Sequence, residues 1–370
     1  MRGWTLPCDA EGASFVQATN PGTVTDFFQN HSVLFALLCA GLGVGWGLGL
    51  TVWLVVLSGG GGGICGSERD SFACYDRYLG DIVRTRGGEA AMAELARLRD
   101  ESHYVLSSCH QLSHAVGHAA LAYYGTVDEA SKHGDATCWS GYYHGVYEQY
   151  MSGFEDDELV SVIPTICHRP EDNPYAFDYY NCVHGIGHGV TIRFENDPFK
   201  GLPFCDVFED RWEQVNCYTG VFMQNIVVDS KWHTSVRLDP DDPVYPCNAV
   251  AHKYKGACYL TQTSYILRVL DYDYDKAFAV CDGVEEEFVP TCYVSMGRDI
   301  SGNSHRDAKL VMERCSLGRP DRQGDCYVGA ARNAVFHDHG TQNADALCAI
   351  VPTRYREQCE DSRDNAARTL

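Results

Sequence analysis

The sequence predicts an all-α, disulfide-stapled αα-hairpin solenoid preceded by one transmembrane helix. Three observations carry that reading. Cysteine pairs recur at a nearly fixed beat in the last third of the chain: Cys247/Cys258, Cys281/Cys292, Cys315/Cys326 and Cys348/Cys359. Each pair is eleven residues apart, and successive pairs step by 34, 34 and 33 residues. Such a period is one helical hairpin of an α-solenoid, a unit that buries its apolar face only by stacking on its neighbours. The beat continues upstream, more loosely spaced, through Cys205/Cys217, Cys167/Cys182 and Cys109/Cys138. Finally, residues 33–57 form a 25-residue run without one charge, long enough to cross a bilayer with some tilt.

Taken in order, residues 1–32 are polar, rich in Gly, Asn and Thr, and show no helical period. They read as a short disordered tail. The run at 33–57 is too long and begins too late for a cleaved signal peptide, so it is expected to remain as a single-pass anchor. Within it Gly41, Gly45 and Gly49 share one helix face, and small residues at that spacing let a second membrane helix approach closely. Residues 58–64, which include five consecutive glycines, form a flexible tether. Flanking charge does not set the orientation. The cysteines do, because sixteen of the eighteen lie after residue 64 in eight local pairs. Disulfides persist outside the cytosol, which puts residues 65–370 in an extracytoplasmic domain and leaves the tail cytoplasmic. Zinc knuckles are the competing use of paired cysteines, and the chain has no CxxC.

Within the domain, a cysteine followed by an aromatic or small residues marks the start of a first helix: Cys217-Tyr218, Cys258-Tyr259, Cys292-Tyr293, Cys326-Tyr327 and Cys138-Trp139. The second helix of a unit ends near the first cysteine of a pair, as at Cys281 and Cys315. Each disulfide then staples one hairpin to the next, contributing about 2–3 kcal/mol for so short a loop. With its period near 34, one cysteine pair per unit and Lys276-Ala277 at the start of a second helix, the layout resembles the Sel1-like, cysteine-rich αα-repeat proteins, relatives of tetratricopeptide arrays. The resemblance covers roughly residues 200–360 and implies a scaffold that binds a protein or peptide ligand. It does not account for the histidines of the N-terminal units.

Those histidines are the sharpest chemical signal. His110, His114 and His118 stand at i, i+4 and i+8; His144 and Glu148, and His184 and His188, stand at i and i+4. Side chains at that spacing share one helix face and can clamp one metal ion. Counting six residues past the opening cysteine gives His144, His188, Met223, Ser264, Arg298 and Arg332 in successive units. Equivalent positions of a solenoid line one surface, so a polar groove, histidine-rich at its N-terminal end, is expected. His114, His118, His144, His184 and His188 are the candidate ligands, with His118, His144 and His188 closest together. His110, beside Cys109 at the helix start, is left outside the set. Zinc is the default ion for imidazole and carboxylate donors, with copper and iron as alternatives. Glu148 is the candidate proton acceptor should the metal catalyse a reaction. The competing reading makes these histidines packing residues, each bonded to a carbonyl or tyrosine of the next unit.

Other motifs carry less. Asp271, Asp273 and Asp275 imitate the opening of a calcium loop, but Lys276 stands where such a loop needs Gly. They read instead as the acidic start of a helix. His337 and His339 alternate about Asp338 and point apart on a helix. No HExxH, GxSxG, phosphate-binding or dinucleotide fingerprint is present. A net charge of −21 without basic clusters argues against nucleic acid as a partner. The sequence thus predicts a membrane-anchored solenoid that binds a metal ion through a histidine-lined groove, or else a non-enzymatic scaffold.

Overall fold

A computed structural model of the chain describes residues 64–65, 71–135, 137–227 and 235–370. The tail, the apolar run at 33–57 and the glycines of the tether lie outside them. Among the described residues no helix is long and apolar enough to cross a membrane, and none of them forms a strand. The N-terminal helices are α1 (Ser71–Arg86), α2 (Gly88–Glu101), α3 (His103–Ser107), α4 (Cys109–Tyr124) and α5 (Val127–Ser131). Then come α6 (Gly141–Met151), α7 (Asp156–Ile166), α8 (Phe177–Arg193), α9 (Pro198–Cys205), α10 (Arg211–Ile226) and α11 (His252–Val269). The chain closes with α12 (Tyr274–Asp282), α13 (Val289–Asn303), α14 (Ala308–Cys315), α15 (Gln323–Asp338), α16 (Gln342–Ile350) and α17 (Thr353–Ala367).

The short helices are specified by aspartate. Asp197, Asp273 and Asp307 open α9, α12 and α14, each accepting a backbone N–H of the first turn. Each stands eight residues before the cysteine that closes its unit, Cys205, Cys281 or Cys315. The side chain satisfies a donor that a helix start leaves without an intrahelical acceptor. Two left-handed residues precede each aspartate: Glu195 and Asn196, Asp271 and Tyr272, His305 and Arg306. The run at Asp271–Asp275 is therefore a repeated turn and cap, as its counterparts at Asp197 and Asp307 confirm.

Disulfides then link unit to unit. Every cysteine from Cys65 onward is paired, in the local order that the spacing indicates: Cys65–Cys74, Cys109–Cys138, Cys167–Cys182, Cys205–Cys217, Cys247–Cys258, Cys281–Cys292, Cys315–Cys326 and Cys348–Cys359. The tyrosine after the second cysteine is buried in four successive units, at Tyr218, Tyr259, Tyr293 and Tyr327. Tyr293 donates to Asp282, the residue after Cys281, and Tyr218 donates likewise to Asp206 after Cys205. With Tyr259 donating to Glu285, three of these four staples are reinforced by a tyrosine hydroxyl with an acceptor. The Cys138 unit departs from this pattern. Cys138, Trp139 and Ser140 are all left-handed, Trp139 is exposed and the helix begins only at Gly141. Tyr142 supplies the buried ring there, donating to the Ala130 carbonyl at 2.8 Å.

The longer helices stack in chain order, α4 on α6, α6 on α8, α8 on α10, then α11, α13, α15 and α17. Paired glycines bring three of these crossings unusually close. A Cβ at Gly117 would overlap the Tyr142 carbonyl oxygen, and one at Gly145 that of His114. Gly187 and Gly220 meet the Cys217 and His184 carbonyls in the same way, as Gly297 and Gly329 meet those of Cys326 and Val294. The stack curls back on itself: Phe177 N–H donates to the Thr369 carbonyl at 2.8 Å, and the Phe177 ring stacks on Phe336 at 5.1 Å. His337, Asp338 and His339 lie at the end of α15, where Asp338 pairs with Arg306 and His339 takes the left-handed cap.

Helix α13 contains its own control for the close crossing. Gly297→Ala forces backbone against backbone and is expected to cost about 3 kcal/mol or more. Gly302→Ala meets nothing within 4 Å and should be neutral or stabilising by up to about 1 kcal/mol, the helix preference of Ala over Gly. Denaturant unfolding of the two variants checks this; equal effects would contradict the crossing.

Candidate metal centre

Three adjacent helices carry the histidines. His110, His114 and His118 lie along α4, His144 and Glu148 on α6, and His184 and His188 on α8. Glycine lets these helices meet. A side chain at Gly141 or Gly145 would collide with α4 at the His110 and His114 carbonyls, and one at Gly189 with Met151 of α6. The close approach drives five imidazoles into one buried cluster, where His110, His114, His144, His184 and His188 are each at most 6% exposed. Ring centroids of His144 lie 5.3 Å from both His110 and His114, 5.1 Å from His184 and 4.3 Å from His188.

Three groups bring ligand atoms within 4.8 Å of one another: His110, His114 and His144; His144, His184 and His188; and His114, Glu148 and His188. Of the histidines expected to ligate, His114, His144, His184 and His188 enter these groups. His118 lies one turn further along α4, its Nε2 on Glu148 Oε2 at 2.9 Å. His110 takes the place expected of it. Both pairs on α4 have i, i+4 spacing, so only the rotation of the helix against α6 selects between them. The Cys109–Cys138 link holds the start of α4 at the start of α6, which turns His110 inward.

The outer nitrogens define the chemistry of the inner ones. His110 Nδ1 lies 2.8 Å from the Cys138 carbonyl, which only accepts. His114 Nδ1 lies 2.8 Å from Glu148 Oε1, also an acceptor. His184 Nδ1 meets Thr219 Oγ1 at 2.9 Å, and that hydroxyl donates its proton to the Asn216 carbonyl. His188 Nδ1 meets Gln224 Oε1 at 2.8 Å, while Gln224 Nε2 donates to Asn196 Oδ1. His110, His184 and His188 therefore carry their proton on Nδ1, while His114 Nδ1 faces the Glu148 carboxylate in an ion-pair contact. A neutral imidazole has one N–H, so the Nε2 lone pairs of His110, His184 and His188 face the interior, with His114 Nε2 beside that of His110.

These lone pairs approach one another. Nε2 of His110 and His114 are 3.0 Å apart, and those of His184 and His188 are 3.3 Å apart. Two lone pairs at that range repel unless a cation lies near them. A proton is a poor candidate. Burial, then the neighbouring histidines, pushes His144 and His188 well below the ordinary imidazole range, and burial lowers His184 to about 3. The separations match ligands at ~2.0–2.1 Å from a shared ion, whose nitrogens sit roughly 3–4 Å apart. The Nδ1 contacts are those that orient a ligating histidine and fix its tautomer. His144 differs, for its buried Nδ1 has neither a hydrogen bond nor the carboxylate contact that His114 Nδ1 makes.

The expected groove is enclosed at its histidine end. Of the other residues expected to line it, Met223 Sδ lies 3.3 Å from His184 Nε2, Ser264 accepts from Arg298 at 2.9 Å, and Arg332 is exposed over the Phe336 ring. Thr219 and Gln224 escape sequence reading. Their one signal is that they follow His184 and His188 by 35 and 36 residues, about one period. No protein-family model matches the chain, nor does any curated protein or solved structure compared with it.

Neutral buried imidazoles make acid destabilising. Between pH 7 and 5 the unfolded chain takes up protons near the ordinary histidine value of 6.5, whereas folded His144, His184 and His188 do not. The unfolded state then binds more protons, so stability rises with pH. The metal-free chain is expected to lose denaturant midpoint as pH falls through this window, with a shallower slope in His184→Gln and His188→Gln. A flat wild-type profile would contradict neutral burial.

Proposed function

We propose that the chain is a membrane-anchored, extracytoplasmic α-solenoid whose buried imidazole cluster binds a metal ion, with zinc as the preferred ion. One observation carries this reading: four Nε2 atoms are turned toward a common interior, three by acceptors that bond Nδ1 and the fourth by the Glu148 carboxylate facing His114 Nδ1. An ion there supplies the positive charge that burial denies to protons. Thiolates do not compete, since the cysteines of the domain are oxidised, and imidazole with carboxylate suits zinc. The thioether of Met223 beside His184 favours copper as the second choice, because soft sulfur prefers that metal. Glu148, which contacts both His114 and His118, orients the α4 pair and is the proton acceptor in any hydrolytic reaction.

The eight disulfides support an oxidising compartment. Residues 33–57 provide the anchor, with Gly41, Gly45 and Gly49 as a contact face for a second membrane helix. A second reading, a scaffold for a protein or peptide ligand, draws on Arg332, whose exposed guanidinium has no carboxylate ion pair among the described residues.

Elemental analysis of the purified full-length chain separates the readings. Stoichiometric metal is expected, and chelation should lower the melting temperature. An ion present at a thousand times its Kd adds about 4 kcal/mol of stability. Metal-free protein of unchanged stability would leave the scaffold. The anchor has its own check: a mature N-terminus upstream of residue 33 and resistance to alkaline extraction are expected, whereas a mature N-terminus near the glycine tract would show a released protein.

A further inference from the structure

His144 stands apart from the other buried imidazoles in two respects. It belongs both to the group with His110 and His114 and to the group with His184 and His188. Its Nδ1 is also fully buried without a hydrogen bond to any protein acceptor and without an ion-pair contact. His110, His184 and His188 each hydrogen-bond an acceptor through Nδ1, and His114 Nδ1 faces Glu148 Oε1 at 2.8 Å, so each of the four turns Nε2 inward. Position agrees with chemistry. The His144 ring meets His110 and His114 edge-on at interplanar angles of 72° and 77°, and stacks at 17° on His188. It thus contacts both the pair contributed by α4 and the pair contributed by α8, which also approach each other directly at His114 and His188, 5.6 Å between centroids.

A buried Nδ1 left unbonded is unfavourable, because its lost hydration is not replaced, unless it meets a ligand. We propose that the cluster is a dinuclear centre. One divalent ion is held by His110, His114 and His144, a second by His144, His184 and His188, and the His144 ring bridges them as imidazolate. On binding, the one N–H proton of His144 leaves to solvent, so that each ring nitrogen donates a lone pair to one ion. Four neutral histidines and one shared anion then hold two dications. Glu148 stays outside both sets: Oε2 meets His118 Nε2 at 2.9 Å, and Oε1 faces His114 Nδ1, the nitrogen turned away from the ion. The two positions are not equivalent, since only the second has Met223 sulfur near it.

This inference rests on the metal-binding reading, and stoichiometry separates the two. The full-length chain, stripped with chelator and titrated with Zn(II), is expected to retain two equivalents after dialysis. Loaded with Cu(II), it should give an electron paramagnetic resonance intensity well below its copper content, because a bridging ring couples the two spins. His110→Ala/His114→Ala should keep one equivalent and regain a full-intensity mononuclear copper signal. One zinc per wild-type chain, or two copper ions with full uncoupled intensity, would overturn the bridge while leaving a metal site. No bound metal would overturn both readings. The wild-type measurements decide the matter even if the double variant fails to fold.

Discussion

The close approach of successive first helices at paired glycines is the constraint on which the rest of the molecule depends. With Gly117 against Tyr142, Gly145 against His114, and Gly187 and Gly220 across the next crossing but one, backbones touch where side chains would normally keep them apart. Interaxial distances of packed helices are set by the side chains at the contact, and here there are none. The gain is tight packing along the stack. The consequence is that any side chain one turn away from a glycine is pressed into a narrow interior, and in the N-terminal units those side chains are histidines.

A polar interior survives only if every group has a partner. The protein meets that demand on one side of each ring, through the Cys138 carbonyl, Glu148, Thr219 and Gln224. On the other side it leaves nitrogen facing nitrogen. Such one-sided satisfaction is what distinguishes a site prepared for a cation from histidines that merely pack, since packing histidines would spend both nitrogens on their neighbours. The same burial that keeps the rings neutral keeps them available as ligands, because a metal requires deprotonated nitrogen.

The C-terminal units show what the same architecture does without histidine. Ser264, Asp299 and Arg298 occupy the corresponding interior, and Arg298 donates to the Leu260 carbonyl, Ser264 and Asp299. The Arg298 and Asp299 charges answer each other, so that pair reads as structural, whereas Arg332 in the next unit lies exposed over the Phe336 ring. Caps, left-handed turns and disulfides repeat through both halves, holding each hairpin in one geometry while the residues at the interior positions differ.

The solenoid, its unit boundaries and its disulfide partners were legible in the sequence because they are local. A cysteine eleven residues from its partner, an aspartate eight residues before a cysteine, and a tyrosine just after one all act within a single hairpin. The histidine signal was legible as i, i+4 spacing, for the same reason. What spacing alone could not decide was the rotation of α4, because His110/His114 and His114/His118 are equivalent along an isolated helix. The tertiary structure decided it through the Cys109–Cys138 link and the Gly145 crossing, which turn His110 inward and send His118 to Glu148. Tautomers, too, belong to the tertiary structure alone: a ring's proton follows its acceptor, and those acceptors come from the next helix or from a loop about thirty residues away.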